Sequence, residues 1–160
     1  MMETSDFLEM KIPAKTEYIA VVRLTVSGIA NRMGFHYDDI EDIKVAVSEA
    51  CTNAVEHGYD SSEDGYVTIG FGVYPDRLDV MVLDRGQSFN MEEVRQNLGP
   101  VDSDVSVEQL NEGGLGLFLI ESLMDKVEIN GDSGVVVMMT KMLHRDEVDN
   151  HVDRVSSSPQ

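Results

Sequence analysis

The chain has 160 residues, 42% of them hydrophobic, with 12 Lys or Arg against 30 Asp or Glu and a formal charge of −18. That length holds one two-layer domain around a single core and excludes a two-lobed kinase or a two-domain dehydrogenase. Nucleic-acid backbone and anionic lipid repel so acidic a chain, so direct binding to nucleic acid or membrane is not expected, whereas partners with basic surfaces are. The lone cysteine, Cys51, allows no disulfide framework and fits a cytoplasmic location. Residues 1–10 carry no basic n-region, and no apolar run approaches the roughly 20 residues of a membrane helix, so neither a signal peptide nor a span is expected.

In chain order, Phe7 to Ile12 alternates and reads as a short strand ended by Pro13. Thr16 is placed to N-cap a helix to about Met33, with Gly34 past its end and Tyr18, Val21, Val22, Thr25 and Ile29 at helical spacing. Asp38 with Glu41 resembles a capping box for a second helix, with Ile40, Ile43, Val47, Ala50 and Ala54 as its apolar stripe and Gly58 closing it. Val67 to Val73 and Leu78 to Val82 alternate on either side of Pro75-Asp76, a hairpin. Residues 87–112 are polar, with six acids and one base, Arg95. They predict a long connection with one weak helix over 91–98; such a connection inside a compact domain is usually functional or disordered. Leu117 to Met124, apolar nearly all round, predicts a buried helix. Lys126 to Asn130 and Val135 to Leu143 predict a second hairpin around Gly131-Asp132-Ser133-Gly134, and the polar tail 145–160 is expected to fray.

The order β-α-α-ββ-loop-α-ββ predicts an α+β fold over residues 1–144: a two-layer sandwich with a mixed, mostly antiparallel sheet and helices on one face. There is no Gly-x4-Gly-Lys-Ser/Thr motif and no Gly-x-Gly-x-x-Gly after the first strand, which excludes P-loop and Rossmann layouts.

Three elements could carry chemistry. Glu49 and Asn53 lie four apart on the second helix and project from one face, with His57 extending the row. A carboxylate there can accept a proton, and a carboxamide oxygen can ligate a hard cation such as Mg²⁺. Taken alone, the same row also fits a solvated stripe opposite the core, and His57 a last-turn complement to the helix dipole. Asp84 follows a strand, and Gly86 two residues on lets a ligand approach; Asp-x-Gly is also a common turn. Gly113-Gly114-Leu115-Gly116 opens a helix whose amides favour phosphate, or serves as a hinge for the long loop.

The ordered set of a Glu-x3-Asn helix, strand-Asp-x-Gly, a long loop and Gly-Gly-x-Gly-helix resembles the GHKL (Bergerat-type) ATP-binding fold, over nearly the whole chain. Within it, Ile43 to Val55, Glu112 to Leu117 and Glu121 to Asp125 resemble the anti-sigma serine kinases, and Leu8 to Ala14 with Ile40 to Lys44 resemble their RsbW type. The resemblance implies a homodimeric anti-sigma factor that silences an alternative, stress-type (sigma-B) sigma factor and uses Mg-ATP to phosphorylate a serine on an anti-anti-sigma protein. It implies that Glu49 is the general base, that Asn53 ligates Mg²⁺, and that Asp84 with Gly86 receives adenine, helped by an inward-facing Thr140. His57 would border the nucleotide, and Gly113, Gly114, Leu115 and Gly116 would wrap its phosphates under a lid at about 87–112. Ser88 replaces a second glycine of the Asp-x-Gly box, and no Lys or Arg lies between Arg95 and Lys126, so slow turnover is expected. Arg23, a cation in the middle of an apolar helix, is either an exposed arginine whose stem covers the core or an ion-pair anchor for a protein partner. The competing readings are the ATP-binding module of a sensor histidine kinase, which lacks here a phospho-accepting histidine on a dimerisation helix, and a nucleotide-binding module without transfer, which would not need Glu49.

Overall fold

The computed structural model describes residues 5–57, 65–84, 99–100, 114–130 and 136–144. Along the chain run β1 (Asp6–Pro13), a 3-10 turn (Thr16–Tyr18), α1 (Ile19–Met33), α2 (Tyr37–His57), β2 (Tyr66–Val73), β3 (Arg77–Leu83), β4 (Gly99–Pro100), α3 (Gly114–Leu123), β5 (Lys126–Asn130) and β6 (Val136–Met142). The strands make one sheet in the order β1-β2-β3-β6-β5-β4. Every pairing is antiparallel, so the described strands show no mixed component.

Alternation decides what each sheet face meets. Val67, Ile69 and Phe71 of β2, Leu78, Val80 and Val82 of β3, and Met139 of β6 share one face by register and join the helices in a common core. The helices contribute Ile19, Val22, Val26 and Ala30 from α1, Ile43, Ala46, Val47 and Ala50 from α2, and Ile120 from α3. Burying each large aliphatic or aromatic side chain here contributes about 1.5–3 kcal/mol before entropy is counted.

Several local details differ from the sequence expectations. Thr16 opens the 3-10 turn and is not an N-cap; Tyr18 occupies the cap of α1 without a side-chain bond. The Tyr18 amide donates to Lys15 O, so the preceding turn carries the chain into the helix. The buried stripe of α1 is not the expected one: Tyr18 and Val21 are exposed. This helix is apolar on more than one side, so spacing admits two stripes and packing against α2 selects one. Gly34 ends α1 with φ 96 and donates to Ala30 O and Asn31 O, the left-handed cap that glycine adopts without strain. The Asp38–Glu41 capping box does not form. The Ile40 amide bonds His36 O, which puts Asp38 inside the first turn, and Glu41 pairs with Lys44 at 3.1 Å. α3 is not buried all round: Phe118 is 61% exposed while Ile120 and Met124 are buried. The long connection contains β4, an edge strand on β5, where a proline is tolerated because it need not donate to a ladder. The weak helix at 91–98, Gly58, the 131–134 turn and the tail 145–160 lie outside the described residues.

Candidate active site

Glu49 and Asn53 flank the buried stripe of α2 and are themselves half-buried, so they are not a solvated face opposite the core. What covers them is the start of α3. A Cβ placed on Gly116 would lie 3.0 Å from Glu49 Oε2, 3.1 Å from Asn53 Nδ2 and 3.5 Å from Asn53 Oδ1. The backbone of Gly116 is not left-handed, so glycine is required here for space and not for conformation. The missing side chain lets the first turn of α3, with its unpaired amides, come against a carboxylate and a carboxamide.

Asp84 follows the last residue of β3 and is buried. Alternation from Leu78, Val80 and Val82 puts it on the helix side of the sheet, the side that also holds Glu49, Asn53 and Gly116. A carboxylate there is costly unless it is bonded, and Asp84 has a partner.

Thr140 does not join this group. Its hydroxyl donates to Asp79 Oδ1 at 2.8 Å on the opposite face of the sheet, where Arg77 Nε lies 3.7 Å from Asp79 Oδ2. The expectation of an inward-facing Thr140 fails by one residue of strand parity: Met139 and Lys141 face the helices, so Thr140 faces away. His57, Gly114 and Leu115 belong to α2 and α3 by backbone, but the side chains of His57 and Leu115 lie outside the described residues, as do Gly86, Ser88 and Gly113. Arg23 is exposed; its Nε donates to Ser48 Oγ at 3.0 Å, and Ser48 in turn donates to Lys44 O at 2.7 Å.

Cys51, midway between Glu49 and Asn53 along α2, is no nucleophile: burial pushes its thiol up to about 12. Among the described residues no three His, Cys, Asp or Glu side chains gather to hold a metal. The donor set instead fits Mg²⁺, which keeps most of its waters and takes one or two hard protein oxygens together with substrate phosphates. Sequence reasoning missed Asp79 and Lys141. The signal for Lys141 was available, as a cation in register with Met139 on the core side of β6.

The model of the histidine kinase-like ATPase domain matches residues 12–141. The chain is 60% identical over 151 residues to the serine-protein kinase RsbW of Halalkalibacterium halodurans, covering 94% of this chain and 92% of that one. It is 54% identical to the RsbW of Oceanobacillus iheyensis over 98% of this chain and 99% of that one, and 53% identical to that of Bacillus subtilis over 94% of each. The chain belongs to the RsbW family of serine-protein kinases. A crystal structure of the RsbU and RsbW domains of a Mycobacterium tuberculosis protein superposes with a TM-score of 0.60 at 24% identity, covering 86% of this chain and 32% of that one. That likeness supports the fold, and the GHKL architecture expected from the motifs is the one found.

Proposed function

We propose that this protein is an ATP-dependent protein-serine kinase whose acceptor is an anti-anti-sigma protein, and that it also binds and silences an alternative sigma factor of the stress type. The observation that carries the catalytic part is the close approach of Gly116 to Glu49 and Asn53, a carboxylate, a carboxamide and a helix start side by side, which supports a base, a metal ligand and a phosphate site acting together. ATP would be held by the start of α3 at its phosphates and by Asp84 at the adenine amino group. Asn53 Oδ1 would ligate Mg²⁺, which supplies charge neutralisation at the phosphates. Glu49 accepts the proton of the acceptor serine as the serine oxygen bonds to the γ-phosphorus and the bond to the β-bridging oxygen breaks, leaving ADP.

No helix among the described residues is long and apolar enough to cross a membrane. The proposal places the protein in the cytoplasm, as a homodimer without direct nucleic-acid contact. β1, at the edge of the described sheet with exposed Phe7 and Leu8, supports the dimer. Arg23 supports partner binding: its guanidinium is held in an exposed position by a neutral hydroxyl, next to exposed Leu24.

The test mixes the protein with labelled ATP, Mg²⁺ and an anti-anti-sigma protein. An acid-stable phosphoserine on the second protein is expected, and Asn53→Ala abolishes it together with Mg-dependent nucleotide binding. An acid-labile phosphate on the protein itself would mean a histidine kinase module, and nucleotide binding without transfer would mean a binding module only.

A further inference from the structure

Lys141 is a buried cation near the C-terminal end of β6. Its Nζ donates to Leu123 O, the last residue of α3, at 2.6 Å. It also stands 3.9 Å from Asp39 Oδ1 and 3.7 Å from Asp42 Oδ2, both near the start of α2. One ammonium thus meets the negative end of one helix dipole and two carboxylates in the first turns of another, whose full charges outweigh the positive dipole end beside them. Two further bonds bracket this junction: the Asp125 amide donates to Thr140 O at 2.9 Å and the Met142 amide to Asp125 Oδ2 at 2.7 Å. Those two tie the end of α3 to the sheet. Among the described residues, only Lys141 continues the tie to α2.

The two helices run antiparallel, because Gly116 faces Glu49 and Asn53 while Leu123 is joined to Asp42. Gly116 and Leu123 are seven residues apart, as are Asp42 and Glu49. At 1.5 Å per residue each interval is about 10.5 Å, two turns, so the contacts at either end match in spacing and side. Between them the packing is apolar, and an apolar helix contact resists sliding less than a directional one.

We propose that Lys141 is a positioning residue that sets the axial register of α3 against α2, and through it the placement of the α3 amides beside Glu49 and Asn53. The proposal rests on the catalytic reading of that pair. Lys141 touches neither nucleotide nor acceptor and acts through the two helices.

The test uses the full chain with Lys141→Met, which keeps the stem and removes the charge, and the double variant Asp39→Asn/Asp42→Asn, which cuts the link to α2 while leaving the bond to Leu123. Two readouts are taken below the melting transition: kcat and the KM for ATP in phosphotransfer, and the distance between spin labels on Tyr37→Cys and Phe118→Cys. Both label sites are well exposed, whereas Cys51 is buried and escapes the reagent. A fall in kcat of roughly tenfold, with KM within about threefold, is the scale expected for a sub-ångström misplacement of aligned groups. The label distance should shift or broaden in both variants, and combining them should add little, because they break one tie. An unmoved distance, an unmoved kcat or strictly additive losses would each overturn the proposal. Should Lys141→Met fail to fold, the aspartate pair decides alone. The label distance makes no use of Glu49, so a failed base assignment would show separately, as wild-type transfer by Glu49→Gln.

Discussion

In Gly116→Ala the new methyl carbon stands 3.0 Å from Glu49 Oε2 and 3.1 Å from Asn53 Nδ2. An easy van der Waals separation is roughly 3.5 Å, so both side chains, or the helix, must retreat by about half an ångström. The backbone itself is content, because Gly116 lies in α3 without a left-handed angle and alanine is favoured over glycine in a helix by about 0.5–1 kcal/mol. Pushing a half-buried side chain off its rotamer costs a similar amount, of order 0.5–1.5 kcal/mol. The two effects offset, and stability should stay within about 1 kcal/mol of wild type, a melting shift of roughly 2–4 °C or less for a chain of this size. Activity has no such offset. If a 1 Å misplacement of reacting groups costs on the order of 10²-fold, half of that costs about tenfold. Phosphotransfer from labelled ATP to the acceptor protein should therefore fall about tenfold or more while the melting curve scarcely moves. Transfer at the wild-type rate in a folded Gly116→Ala protein would refute the argument that the missing side chain shapes the site.

Glu49→Gln should hold nucleotide within a few-fold of wild type and lose roughly 10²–10⁴-fold in transfer, measured by single-turnover phosphorylation; near-normal turnover removes Glu49 from the role of base. Thr140→Val leaves the buried Asp79 oxygen without its donor, so denaturant unfolding should show a loss of about 1–3 kcal/mol while nucleotide affinity, read by calorimetry, stays unchanged. Arg23→Glu should keep fold and ATP binding yet lose the sigma factor or the antagonist in a pull-down, and unchanged binding to both returns Arg23 to a covering role. Cys51 keeps its proton in the folded state up to about 12, whereas in the unfolded chain it titrates near its ordinary value of 9.0. The folded form then binds more protons between those values, so this contribution to stability is complete below pH 9 and is lost as pH rises toward 12. Urea midpoints across that range should fall more steeply than in Cys51→Ala.

Much of the architecture was legible because it depends on local periodicity. The alternation in β2 and β3 and the apolar stripe of α2 identify the elements and their inward faces before any contact is known. The ordered motifs from Glu49 to Gly116 likewise reveal the ATP-binding fold, since carboxylate, carboxamide and glycine spacings are written along the chain. Sequence could not choose between the two apolar sides of α1, because that choice is made by what packs against it. It could not decide the facing of Thr140 either: parity along β6 is certain only once the partner strand fixes its register. The nearness of Gly116 to Glu49, and the reach of Lys141 from a strand to two helices, join residues distant in sequence. Chain spacing carries no information about such pairs, so only the packed tertiary structure settled them.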